Sequence, residues 1–183
     1  MAKVPYISRD DINSSEQNIY DKISSSRGSV QNVFSALLNN PPATEAVTNL
    51  GEYIRYKSTL NPATREIAIL VTAKQLNNSY EWSQHEPVAK SVGVSDDIIQ
   101  YILEKDDPNK IDTKESIFIE AAKELVTSSQ LKQKTFDALM ESLGMKSTMD
   151  FIVTVGYYTM LDKIISALDV DFDQWMTKNQ KFN

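Results

Sequence analysis

The sequence predicts an all-α protein built as a single helical bundle, and three observations predict it. Apolar residues recur at three- and four-residue spacing along most of the chain, while strand-like alternation never runs beyond a few residues. Only five glycines and six prolines punctuate 183 residues, which leaves room for long helices and few hairpins. Residues that start and stop helices also stand at the ends of the periodic runs. A chain of this length is one domain (1–183) by default and can bury most of its apolar surface in one core.

The elements follow in order. Ser14-Ser15-Glu16-Gln17 resembles a capping box, and Ile19, Tyr20 and Ile23 carry a helix to about Ser26, where Arg27-Gly28 closes it. Val33-Phe34 and Ala36-Leu37-Leu38 make two turns before Asn39-Asn40-Pro41-Pro42 interrupts them. Proline is tolerated in a first turn, so the next helix is expected from Pro42 to about Lys57. Asn61-Pro62 is the clearest helix start, a capping residue followed by proline at the first helical position. Ile67, Leu70, Val71 and Leu76 extend that helix to about Asn77.

Ser79 is the expected cap of a helix reaching Val92, with Gly93 as its stop, and Pro87 inside it predicts a kink or a local break. Ser95 caps a short helix from Asp96 to Glu104. The polar run Lys105-Asp106-Asp107-Pro108-Asn109-Lys110 reads as a linker (105–110) between two helical halves. Beyond it, Thr113 to Thr127 and Lys132 to Leu143 read as an antiparallel pair, the second stopped by Gly144. A long apolar helix from Ser147 to Leu168 and a short one from Phe172 to Met176 complete the chain. No internal repeat or low-complexity tract is visible.

Composition excludes several functions. The net charge is −6, and no Lys/Arg stripe of the kind that neutralises phosphates is present, so nucleic acid is not an expected partner. Lys132 and Lys134 sit among acidic residues, as on a solvated helix face. The absence of cysteine excludes disulfides, thiolate metal sites and a thiol-based peroxidase cycle. Met1 to Ile12 lacks the apolar run of a signal peptide, and no apolar stretch approaches the ~20 residues of a membrane span. A soluble, cytoplasmic protein with no membrane partner is therefore expected. No glycine-rich phosphate loop or Cys/His metal spacing appears, and no cofactor is expected.

Two places in the sequence hold candidate chemistry. Glu66 has Pro62, Ala63, Ile69 and Leu70 three and four positions away, which puts it on a mostly apolar helix face. Burial there would raise its carboxyl toward the range of a working base unless a cation pairs with it. Equally, a Glu in the first turns of a helix is favoured by the helix dipole and reaches solvent. The second place is Ser79-Tyr80-Glu81-Trp82-Ser83-Gln84-His85-Glu86. Glu81 and His85, one turn apart, can form a hydrogen bond that fixes the imidazole tautomer and favours its protonated form. Asn78 shares their face if the helix begins that early, and Trp82 flanks the only histidine of the chain.

A structural His–Glu pair tying two helices together accounts for the same spacing. So does a two-carboxylate, one-histidine metal set of Glu66, Glu81 and His85, although no recognised metal-ligand spacing supports it and no metal is expected. Tyr157 and Tyr158 in the last long helix can donate phenol hydrogens to a ligand, or serve as core residues whose hydroxyls find partners.

These stretches together resemble the carboxymuconolactone decarboxylase and alkyl hydroperoxidase D family. The resemblance is carried by Leu60-Asn61-Pro62-Ala63-Thr64-Arg65-Glu66, by Glu81-Trp82-Ser83-Gln84-His85-Glu86-Pro87 and by Gly93-Val94-Ser95. Arg27-Gly28-Ser29-Val30, Leu38 to Pro42 and Val155 to Leu161 extend it from about Ser14 to Val170. In the hydroperoxidase branch a Glu precedes a His by nineteen positions, as Glu66 precedes His85 here, and a C-x-x-C pair lies between them. The two cysteines fall on Asn78 and Glu81, which points to the cysteine-less Glu-Trp-x-x-His subgroup.

The resemblance implies the alkyl hydroperoxidase D-like helical fold, a homo-oligomer (trimer or hexamer) and a small-molecule substrate. It implies proton-transfer chemistry by Glu66, Glu81 and His85, in decarboxylation, isomerisation or lactone conversion, with Asn78, Trp82, Tyr157 and Tyr158 lining the substrate site. A ligand-binding or scaffold protein that kept the fold and lost catalysis is the other reading open at this point.

Overall fold

Asparagine followed by proline sets two of the helix starts in the computed structural model, which describes residues 1–104 and 114–176. Among the described residues there are eight α-helices, a short 3-10 turn at Arg9–Asp11 and no strand. The helices are α1 (Gln17–Arg27), α2 (Asn32–Leu37), α3 (Pro41–Tyr56), α4 (Pro62–Gln75), α5 (Ser79–Ser91), α6 (Asp96–Glu104), α7 (Ser116–Ser128) and α8 (Gln133–Leu168). The expected all-helical class is the observed one.

Met1–Lys57 with Lys163–Met176 form one compact unit, and Ser58–Asp162 form the body of a second. The proposed linker at 105–110 lies outside the described residues, as does Thr113.

In the first unit α1 and α2 pack on α3. Gly28, at φ 79°, closes α1 in the left-handed region open to glycine, and Asn40 caps α3 by accepting the Ala43 N–H at 3.3 Å. Two expectations fail here. Residues 14–16 form a turn, and α1 begins at Gln17 without a side-chain cap. Residues 172–176 form no helix, because their neighbours are bonded elsewhere. The Asn32 side-chain amide donates to the Asp171 and Phe172 carbonyls, and its backbone N–H donates to Asp173. Those carbonyls are the acceptors a helix would have needed.

In the second unit α4 packs against α5, α6 and α7. Asn61 caps α4 by accepting the Ala63 N–H at 2.9 Å, with Pro62 in its first turn. The cap of α5 is Asn78 and not Ser79; its side chain accepts the Glu81 N–H at 3.0 Å. Pro87 lies inside a helix that runs without a break from Ser79 to Ser91, so the expected local break is absent.

Glu124 on α7 accepts the Lys132 N–H and the Thr135 hydroxyl, and so holds the start of α8. α8 contains the expected stop: Gly144, at φ 71° and ψ 168°, divides it into two helical stretches. By length and composition α8 could cross a membrane, a test that the core helix of a water-soluble protein also passes. Its buried Asp150 and Asp162 place it with core helices.

The two glycines of α8 differ in a testable way. Gly144 has a backbone that only glycine adopts without strain, so Gly144→Ala is expected to cost about 1–3 kcal/mol in urea unfolding. Gly156 is helical and exposed, and a Cβ there would meet nothing within 4 Å. Gly156→Ala is expected to leave the isolated chain unchanged or more stable by up to about 1 kcal/mol. Equal effects at the two positions would contradict the assigned backbone.

Candidate active site

Every residue of α4 from Glu66 through Ala73 is buried. A helix covered on all sides has no face along which a charge can reach water. Ile67, Ala68, Ile69, Leu70, Val71 and Ala73 suit that position, and Thr72 returns its hydroxyl to the Ala68 carbonyl at 2.7 Å. Glu66 is the exception. A carboxylate in such surroundings is strongly destabilised unless a cation and hydrogen bonds compensate it.

The compensation comes from α5 and from α4 itself. The connection between the two helices is short, with Asn77 taking a positive φ of 55°, a conformation asparagine tolerates. Glu66 lies about 13 Å back from the end of α4, and His85 about 9 Å beyond the start of α5. Long side chains span the remaining difference. The His85 Nδ1–H donates to Glu66 Oε2 at 2.7 Å, and Arg65 Nε donates to Glu66 Oε1 at 3.1 Å.

On the other side of the ring, His85 Nε2 stands 3.6 Å from Glu81 Oε2, one turn earlier on α5. The imidazole is therefore held between two carboxylates, and all three groups are buried, with 2 to 4 % of each residue exposed.

Burial pushes the Glu66 carboxyl up, but the His85 charge and hydrogen bond, with the Arg65 guanidinium behind them, outweigh it. The carboxyl is held below the ordinary glutamate value. The condition set in the sequence reading is thus met: a cation pairs with Glu66, and burial does not raise it.

The part of α8 beyond Gly144 closes this arrangement. Near one end, Asp150 Oδ2 accepts both the N–H and the hydroxyl of Thr59, at 2.7 and 2.8 Å, just before the α4 cap. At the other end, Asp162 Oδ1 accepts the Asn78 side-chain amide at 3.1 Å, at the α5 cap. α8 is so pinned to both ends of α4, and its intervening turns bring Tyr158 against the imidazole. The two rings meet edge-on, 4.9 Å between centroids at 89°, and Tyr157 packs edge-on to Tyr158 at 5.3 Å.

Of the residues expected at a site, the structure brings Glu66, Glu81, His85 and Tyr158 together. Asn78 lies at the near end of α5, with its side chain committed to the helix cap and to Asp162. Trp82 is fully buried in the apolar core, and its indole N–H donates to Glu86 at 2.8 Å. No group of metal-ligating side chains forms a candidate metal site among the described residues.

Arg65 and Asp162 escaped the sequence reading. Adjacent residues on a helix do not normally face one another, so spacing gave Arg65 no weight. Asp162 lies eighty-four positions from Asn78, with no local signal linking the two.

Residues 41–124 match the model of the carboxymuconolactone decarboxylase family. No curated protein matches the chain by sequence. Three solved structures share its fold at low identity. A variant of the debrominase Bmp8 in complex with 2,3,4-tribromopyrrole is 15% identical, with a TM-score of 0.77 over 95% of this chain and 93% of that one. An uncharacterized peroxidase-related protein from Silicibacter sp. TM1040 is 17% identical, with a TM-score of 0.70 over 98% and 92%. The alkylhydroperoxidase AhpD core of an uncharacterized peroxidase-related protein from Ralstonia eutropha JMP134 is 16% identical, with a TM-score of 0.67 over 99% and 94%. The alkyl hydroperoxidase D-like fold is therefore the fold of this chain.

The Glu66 pairing has a consequence for acid stability. Folding lowers this carboxyl, so its contribution is complete above the unfolded value of about 4.3 and is lost as the pH falls through the folded value. Urea unfolding followed downward from pH 7 is expected to show an acid-side loss that Glu66→Gln diminishes. At pH 7, Glu66→Ala is expected to cost about 3–5 kcal/mol, the usual effect of breaking a buried pair. A Glu66→Ala protein as stable as the wild type would contradict the pairing.

Proposed function

From the match of residues 41–124 to the carboxymuconolactone decarboxylase family model, we propose that the chain is a small-molecule enzyme of that family whose Glu66, Glu81 and His85 relay protons. The observation that supports this reading is the imidazole flanked by two buried carboxylates, at 2.7 and 3.6 Å. An imidazole oriented through one nitrogen by a carboxylate presents the other in a fixed direction, the arrangement used by many acid–base sites. Two groups able to hold one proton between them suit reactions that remove a proton and return it elsewhere. Isomerisation and lactone conversion are of this kind. In decarboxylation the electrons of the breaking C–C bond stay on the adjacent carbon as CO2 leaves, and the relay supplies the proton that carbon takes up.

The absence of cysteine removes the disulfide-cycling peroxidase reaction from the proposal. The two positions matching the family's thiols are here a helix cap, Asn78, and the carboxylate facing His85, Glu81. Peroxide consumption with a thiol donor is expected to stay at background. The heteroaromatic ligand of the debrominase structure adds small ring compounds to the lactones and carboxylates of a substrate screen. Asn78, Trp82, Tyr157 and Tyr158 remain the proposed substrate-side residues, with Tyr158, in contact with His85, the best supported.

The burial of all three relay groups favours a second reading, a ligand-binding or scaffold protein in which they act as polar glue. A homo-oligomer is common to both readings. The outer strip of α8 beyond Gly144 supports it: Met149, Val153 and Met160 are exposed together with Gly156, between the exposed Lys146 and Lys163. Against any substrate the screen finds, Glu66→Gln, Glu81→Gln and His85→Gln are each expected to lower kcat by about 10²–10⁴, with helical circular dichroism retained. Full activity in all three variants would rule out the relay, and a screen that finds no substrate would leave the scaffold reading standing. Light scattering is expected to show an oligomer that Met149→Lys with Met160→Lys weakens.

A further inference from the structure

Arg65 makes a contact that helix geometry does not encourage. Side chains at adjacent positions diverge by about 100°, yet the Arg65 guanidinium folds back so that its Nε donates to Glu66 Oε1 at 3.1 Å. Only 11 % of the Arg65 side chain is exposed. The two oxygens of Glu66 are thus divided, one to a guanidinium and one to the imidazole Nδ1–H at 2.7 Å. A guanidinium keeps its charge under all conditions a folded protein meets. Glu66 therefore has a counter-charge that does not depend on the state of His85. Glu81 stands differently toward the ring, at 3.6 Å from Nε2, an ion-pair separation beyond hydrogen-bond distance.

Resting on the relay reading above, we propose that Arg65 is a positioning residue that gives the relay a direction. It holds Glu66 as the fixed end, which keeps a proton on His85 Nδ1 and leaves the Nε2–Glu81 side as the end that exchanges protons with a bound molecule. The Nδ1 proton stays in place throughout. A proton lifted from the bound molecule passes to Glu81 or to Nε2, and an equivalent proton returns from that same side. The class of substrate that fits is a carbon acid needing one proton removed and one delivered, with no oxidant or reductant.

The single histidine makes the test direct, since NMR of the full chain with ¹⁵N-labelled histidine reports one imidazole. A downfield proton bound to Nδ1 is expected in the wild type and, unchanged, in Glu81→Gln. Arg65→Gln is expected to move that resonance upfield or lose it to exchange. Arg65→Lys, which keeps the charge and is the variant to use if Arg65→Gln does not fold, is expected to give a smaller shift of the same sign. A resonance unmoved in both Arg65 variants, or a neutral wild-type imidazole with its proton on Nε2, overturns the proposal. The relay reading fails separately, if Glu66→Gln leaves the resonance untouched. A response to Glu66→Gln without one to the Arg65 variants removes only the role of Arg65.

Discussion

The hydrogen bond between Glu66 and His85 is the interaction on which the rest of the site depends. A carboxylate in a helix buried on every side can persist only with partners, and those partners fix much else. The imidazole must come from α5 at the matching level, which sets how α4 and α5 face each other. Arg65 must fold back over its own helix. The second carboxylate, Glu81, falls one turn from His85 and reaches the ring from its other side. A chain of partners, from Arg65 through Glu66 and His85 to Glu81, follows from the acid at position 66. Breaking any link leaves a buried charge uncompensated, so the network is more expensive to damage than its net contribution to folding suggests.

The fold was largely legible in the sequence because its punctuation is local. Asn61-Pro62, Gly28 and Gly144 act through caps and backbone angles within a few residues, and each sits where the pattern put it. The failures were local signals overruled by distant ones. Residues 172–176 carry a helical pattern, but Asn32, some 140 positions away, takes the carbonyls. Ser79 looked like a cap until its neighbour Asn78, which also reaches Asp162, took the role.

The site was legible in part for the same reason. Glu81 and His85 are one helical turn apart, which spacing shows, whereas the link from Glu66 to His85 came from the nineteen-residue separation that the family resemblance supplied. The sign of the Glu66 perturbation was not readable. It depends on whether a cation arrives to offset burial, which is a question of three-dimensional neighbours. Asp150 and Asp162 were invisible, because polar residues in an apolar helix reveal their purpose only when their partners, Thr59 and Asn78, are seen beside them.

The pinning of α8 has a further meaning for how such a chain can change over time. Asp150 and Asp162 hold the helix at both ends of α4, so the turns between them act as a ruler of fixed length. One added or deleted residue in that stretch would rotate everything beyond it by about 100° and carry either Tyr158 off the imidazole or Asp162 off Asn78. Single substitutions on the outer surface of the same turns leave that length unchanged. Insertions and deletions between the two aspartates change it, so within this helix an altered length breaks more than an altered side chain.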